Sequence, residues 1–121
     1  MPQIRVAFYR ENDGTIPIVD WLDSLPEKAQ DKCRLKLERL RELGHELRRP
    51  EADYLRDGVY ELRVRLGTVH YRMLYFFYEN VAAVISHGLV KEQRVPAKEI
   101  DRAVAANQRF GKDPKRHSHE E

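Results

Sequence analysis

The stretch Tyr60-Glu61-Leu62-Arg63-Val64-Arg65-Leu66-Gly67-Thr68-Val69-His70-Tyr71-Arg72-Met73-Leu74-Tyr75 decides the fold. Successive side chains of a strand point to opposite faces. Tyr60, Leu62, Val64 and Leu66 therefore share one face, and Glu61, Arg63 and Arg65 share the other. Gly67-Thr68 reads as a two-residue hairpin loop, a three-residue loop being the alternative. The two-residue loop sets Leu66 against Val69, Arg65 against His70, Arg63 against Arg72 and Glu61 against Leu74. On the reverse face Val64 meets Tyr71, Leu62 meets Met73 and Tyr60 meets Tyr75. This register gives one apolar face and one face carrying Arg63, Arg65, His70 and Arg72. A slip of one residue would mix them.

Outward from the hairpin, Ile4 to Tyr9 reads as a strand rich in β-branched and aromatic residues. A short helix begins near Pro17, with Ile18, Trp21, Leu22 and Leu25 at helical spacing. Ser24 and Glu27 form a capping pattern ahead of a second helix, which carries an Ala29, Cys33, Leu37, Leu40 stripe and stops at Gly44. Lys28, Asp31, Arg34, Glu38 and Arg41 fall on its solvated face. Residues 45–58 are polar and read as loop. Strands are expected over about 59–66, 69–78 and 81–88, with a turn at Glu79-Asn80. Pro96 opens a last helix, in which Ile100, Ala103 and Val104 are apolar and Glu99 and Asp101 complement the helix dipole. The order strand, two helices, three strands, helix is an α+β domain with a mainly antiparallel sheet. One domain over residues 1–110 is expected, followed by a frayed tail over 111–121.

Composition narrows the function. Of 121 residues, 41% are hydrophobic and 35% charged, which suits one folded domain with a well-solvated surface. The formal net charge is only +2, so a nucleic-acid contact has to come from a local basic cluster rather than a general coat. The lone cysteine, Cys33, falls on a helix's apolar stripe and reads as a core residue. No signal-peptide pattern or membrane-length apolar run is seen, and the cytoplasm is the expected compartment. Five histidines show no metal-ligand spacing, and no Walker loop, dinucleotide fingerprint or nucleophile elbow occurs. Neither a metal nor a cofactor is expected.

Two arginines directly opposed on a sheet repel each other. Either Glu61 lies between them in a structural Glu–Arg network, or the pair grips a polyanion by bidentate contacts to phosphate oxygens. The third strand is read with Ala83, Ile85, His87 and Leu89 on one face and Val84, Ser86 and Gly88 on the other. It ends in His87-Gly88-Leu89-Val90-Lys91-Glu92-Gln93-Arg94, placing a histidine and two cations where the sheet ends.

These motifs carry a resemblance. Leu55-Arg56-Asp57-Gly58-Val59-Tyr60-Glu61-Leu62-Arg63 resembles the L-x-x-G-L-Y-E-L-R run of RelE/HigB-type toxins. Tyr71-Arg72-Met73-Leu74-Tyr75 resembles their Y-R-v-l-Y strand, and His87-Gly88-Leu89-Val90-Lys91-Glu92 their H-G-F-x-K-K run. Pro17-x-x-x-Trp21-Leu22 and Leu25-Pro26 fit as well, so the likeness spans about residues 3–109, including the phage-derived branch of the group. Two positions depart from the pattern: Glu92 stands where a second lysine is common, and Val95 where a threonine caps the last helix.

The resemblance implies a microbial-RNase-like fold and a type II toxin that is a metal-independent endoribonuclease. It also implies messenger RNA and the ribosome as targets, and a cognate antitoxin, often a helix-turn-helix protein. Carried over by position, the family's basic catalytic residues fall on Arg63, Arg72 and Lys91, with His87 and Arg65 as weaker candidates. In the mechanism this suggests, Arg63 and Arg72 hold the scissile phosphate, Lys91 protonates the leaving oxygen, and His87 is the base. Glu61 is a second candidate base, and Arg65, His70 and Arg94 bind RNA. Two rivals keep the fold: a ParE-like inhibitor of DNA gyrase without catalysis, and an inactive phage-derived RNA-binding or adaptor module.

Overall fold

In the computed structural model, which describes residues 3–91 and 93–120, the expected hairpin is present with the expected register. Strand β3 (Val59–Leu66) and strand β4 (Val69–Tyr78) pair Leu66 with Val69, Arg63 with Arg72 and Glu61 with Leu74. Gly67 takes φ 62°, a left-handed conformation that glycine adopts without a Cβ penalty.

Around this hairpin lie β1 (Arg5–Tyr9), α1 (Pro17–Asp23), α2 (Glu27–Leu43), β2 (Ala52–Arg56), β5 (Ala82–Val90), α3 (Ala97–Lys112) and β6 (Ser118–Glu120). The strands form one six-stranded sheet in the order β2-β3-β4-β5-β1-β6. Every pairing is antiparallel except β1 with β5. The molecule is thus α+β, with three helices on a mostly antiparallel sheet.

Both faces of the sheet are covered. Helices α1 and α2 bury Ile18, Leu22, Ala29, Cys33, Leu37 and Leu40 against Val6, Phe8, Leu62, Met73, Tyr75 and Ile85. Burial pushes the Cys33 thiol up to about 11, as befits a small core residue. Helix α3 lies on the opposite face, over Val59 and Leu74 at one end and over Tyr9, Phe76 and Val84 at the other. The arginine-bearing face of the hairpin is therefore open only beyond the edge of α3.

The element order departs from the sequence reading in two places. Part of the polar 45–58 segment is strand β2, joined to β3 through Asp57-Gly58 with both φ values positive, 52° and 83°. That geometry is the type I′ hairpin preference for Asp-Gly, which overrides a composition typical of loops. The expected frayed tail also contains structure. Strand β6 closes the free edge of β1, and His117 is buried, stacked on Tyr9, with Nδ1 2.8 Å from the carbonyl oxygen of Arg10.

Two local signals resolve differently as well. Ser24 does not cap α2: its hydroxyl donates to the Trp21 carbonyl at 2.6 Å, finishing α1, and Pro26 occupies the N-cap of α2. Helix α3 also starts without a side-chain cap, after Pro96. Val95 is buried beside Ile100, an apolar staple across the helix start that offsets the lost cap.

Candidate nucleic-acid interface

The basic residues of the hairpin border a cleft of about 530 Å³. Arg63, Arg65, His70 and Arg72 line it, with Lys36 of α2 and Glu51 at the start of β2. Four cations thus face one lining carboxylate. This is a local cationic site on a chain with little net charge, the arrangement that anion binding requires.

The arginines are not equivalent. Glu61 is buried between Arg63 and Arg72, and each of its oxygens is taken. Arg72 Nη1 donates to Oε1 at 2.5 Å, and Arg63 Nη2 donates to Oε2 at 3.1 Å. The opposed arginines therefore share one carboxylate, which relieves their repulsion. Arg63 also donates to Asp53 Oδ2 at 3.3 Å. Asp53 is held below the usual carboxylate range chiefly by a hydrogen bond from Arg49. The side chain of Arg63 remains 37% exposed, whereas that of Arg72 is 11% exposed. Arg72 forms the floor of the cleft and Arg63 its wall.

Three sequence expectations are corrected here. Of the two readings of the opposed arginines, the Glu61 network is the one present, and Arg72 is nearly buried in it rather than presented to hold a phosphate. Glu61 is not presented as a base, because both its oxygens already accept hydrogen bonds from guanidinium groups. His87 is not in the cleft at all. The β4–β5 register shifts by one residue, so that Tyr75 pairs with Ile85 and Leu74 with His87, leaving Ser86 as a bulge. Beyond the bulge the faces exchange. His87 lies under α3 with Leu74, while Ala83 and Ile85 belong to the α1/α2 side. The imidazole is 2% exposed, with Nδ1 2.8 Å from the Ser86 hydroxyl and Nε2 2.9 Å from Glu99 Oε1. Burial, helped by the charge of Arg102, lowers its pKa, so the ring is neutral near pH 7. It ties β5 to α3.

The remaining expected residues are free to meet a ligand. His70 is half-buried on the cleft, and Arg65 is exposed, its Nε donating to the Gly67 carbonyl at 2.9 Å. Lys91 follows β5 directly, and its backbone N–H donates to the His70 carbonyl at 3.0 Å. Its root is therefore adjacent to His70. Among the described residues, the side chains of His70, Lys91 and Arg94 have no hydrogen-bond or ion-pair partner, and Lys91 and Arg94 are exposed. Glu92, the departure from the double lysine, lies outside the described residues.

Lys36, Asp53 and Glu51 were missed by the sequence reading. Glu51 joins α2 to β2, accepting from Arg39 at 2.7 and 3.0 Å and from Lys36 at 3.4 Å, and these partners, Arg39 first, hold it down to about 2. The signal lay in α2, where Lys32, Lys36 and Arg39 recur on one flank at helical spacing. Among the described residues no cluster of three or more His, Cys, Asp or Glu side chains is arranged to hold a metal ion. No described helix is long and apolar enough to cross a membrane.

Residues 20–108 match the family described as phage-derived protein Gp49-like (DUF891). That range includes α2, the hairpin, the cleft and most of α3. No curated protein matches the chain.

Proposed function

The chain belongs to this Gp49-like family, a branch of the RelE/ParE-like toxin superfamily, and from that premise we propose that it is the toxin of a type II toxin–antitoxin pair, cleaving messenger RNA with the ribosome as its place of action. The observation that carries this reading is the convergence of Arg63, Arg65 and His70 on one cleft above the Arg72 floor.

RNA supplies its own nucleophile, the 2′-hydroxyl. The protein has to align that oxygen with the phosphorus, take its proton, stabilise the crowded phosphate and protonate the departing 5′ oxygen. Arg63 and Arg65 hold the scissile phosphate. Arg72 and Glu61, locked together beneath it, hold Arg63 in place so that the site does not reorganise during the reaction. His70 takes over the base role first assigned to His87. Imidazole is the side chain most often used for such proton transfer, and His70 is the histidine among the described residues that lines the cleft. Lys91, rooted beside the His70 carbonyl, delivers the proton to the 5′ oxygen. The 2′ oxygen bonds to phosphorus as the P–O5′ bond breaks, giving a 2′,3′-cyclic phosphate and a 5′-hydroxyl. A cluster this small neutralises few phosphates, so free RNA is held weakly and in a salt-sensitive way, and the ribosome adds the missing binding energy. A cognate helix-turn-helix antitoxin completes the system.

End-group analysis of message recovered from cells expressing the protein tests the scheme. A 5′-hydroxyl at new ends agrees with it, and a 5′-phosphate excludes it. Arg63→Ala removes a phosphate donor and is expected to lower cleavage by about a hundredfold to a thousandfold.

A further inference from the structure

A second groove, of about 460 Å³, runs along α2 and opens into the cleft. The two cavities share Lys36, Glu51, Val64 and Arg65, so they form one continuous depression. The α2 wall contributes Lys32, Leu35 and Arg39. Lys32 Nζ donates to the Arg65 carbonyl at 3.0 Å, which sets its ammonium directly beside the cleft. Leu35 is 67% exposed, an apolar side chain among cations.

We propose that this groove is a second subsite for the same RNA strand, gripping the phosphates that flank the cleavage point. The inference rests on the ribonuclease reading and extends it from one phosphate to a longer path. Lys32, Lys36, Arg39 and Arg65 face a single carboxylate, Glu51, which already neutralises part of Lys36 and Arg39. The surplus is positive and continuous with the catalytic cleft, which suits a polyanion entering from one end. From Lys32 to Arg39 the helix rises roughly 10 Å, long enough to follow a strand rather than one isolated anion. Leu35 and Val64 offer an apolar surface to a base or ribose between the charged contacts.

Binding of RNA oligonucleotides carrying a 2′-deoxy residue at the cleavage position, which blocks the reaction, separates the two sites. A four-nucleotide strand reports on the cleft and a twelve-nucleotide strand on cleft and groove together. The variant Lys32→Gln/Arg39→Gln, at two residues that line the groove and not the cleft, is compared with the unaltered protein over a range of salt concentrations. The expected result is unchanged affinity for the short strand and a loss on the order of tenfold for the long one, with the salt slope reduced by about 1.4 for two lost contacts. Equal affinity and slope for the long strand in both proteins, with Arg63→Ala still weakening it, overturns the groove assignment and leaves the cleft standing. Docking of an acidic helical peptide in the groove, with long-strand binding unchanged in the variant, also overturns it in favour of a protein partner. Failure of the twelve-nucleotide strand to bind the unaltered protein at the lowest salt concentration overturns the groove assignment, while the ribonuclease reading is tested separately by the end groups of cleaved message.

Discussion

Arg72 donates to Glu61 across the β3–β4 pair although the two do not face each other: Glu61 opposes Leu74 and Arg72 opposes Arg63. The contact is diagonal, within reach of long side chains on one sheet face. It turns two repelling arginines into a three-membered unit with the carboxylate in the middle. The unit is structural at its base and chemical at its rim, because Arg63 keeps an exposed edge and Arg72 does not.

Breaking this unit destabilises the protein as well as disturbing the cleft. Glu61→Ala leaves Arg72 nearly buried without its carboxylate, and Arg72→Ala leaves Glu61 buried with one oxygen unpaired. Each is expected to cost roughly 3–5 kcal/mol, the usual penalty for removing one member of a buried pair. A Glu61→Leu/Arg72→Met double variant should lose clearly less than the two single losses added together. Urea unfolding of the three proteins measures this. Additive losses would mean that the pair does not act as a unit.

The hairpin was legible because alternation in β3 and β4 admits only one sorted register, and Gly67 marks its turn. The residues that share the cleft followed from that register. What the sequence did not reveal arises from tertiary effects. The bulge at Ser86 inserts one residue into β5 and reverses the side on which His87 lies, and strict alternation cannot register an extra residue. The burial of Arg72 depends on its central place between β3 and β5 and on its bond to Glu61, and the pairing with β5 is not visible in the hairpin alone. Strand β2 was hidden because a polar composition resembles a loop until Asp57-Gly58 is recognised as a hairpin turn. The tail acquires order from the free edge of β1 and the face of Tyr9, neither of which is local to it.

The burial of His87 implies a pH-dependent stability. Its pKa in the folded protein lies below the unfolded value near 6.5, so the unfolded chain binds more protons between the two values. The stabilisation is fully present above the unfolded value and is lost as pH falls through the folded one. Thermal unfolding should therefore show a melting temperature that declines below about pH 6.5. In His87→Gln that part of the decline should be absent, with lower stability at pH 7.5. An unchanged acid decline in the variant would assign it to other groups.

Gly88 is fixed by contact with Trp21. A Cβ at this position would sit inside the indole ring of Trp21, which α1 packs against β5. Its φ is not in the left-handed region, so the requirement is space and not conformation. Gly88→Ala is expected to destabilise by about 1–3 kcal/mol through overpacking. In Gly88→Ala/Trp21→Leu the added methyl should cost much less, because the ring is gone. Chemical denaturation of both proteins checks this, and an equal cost of the alanine in both backgrounds would contradict the contact.

The central claim is that Arg63 and His70 act on an RNA phosphate in the cleft. Its most direct measurement is single-turnover cleavage of ribosome-bound message by purified protein, comparing the unaltered chain with Arg63→Ala and His70→Ala, with circular dichroism establishing that each variant is folded. The account predicts cleavage to 2′,3′-cyclic phosphate and 5′-hydroxyl ends by the unaltered protein, and losses of about a hundredfold or more in each folded variant. Undiminished cleavage by both folded variants, or intact message with the unaltered protein, would contradict it.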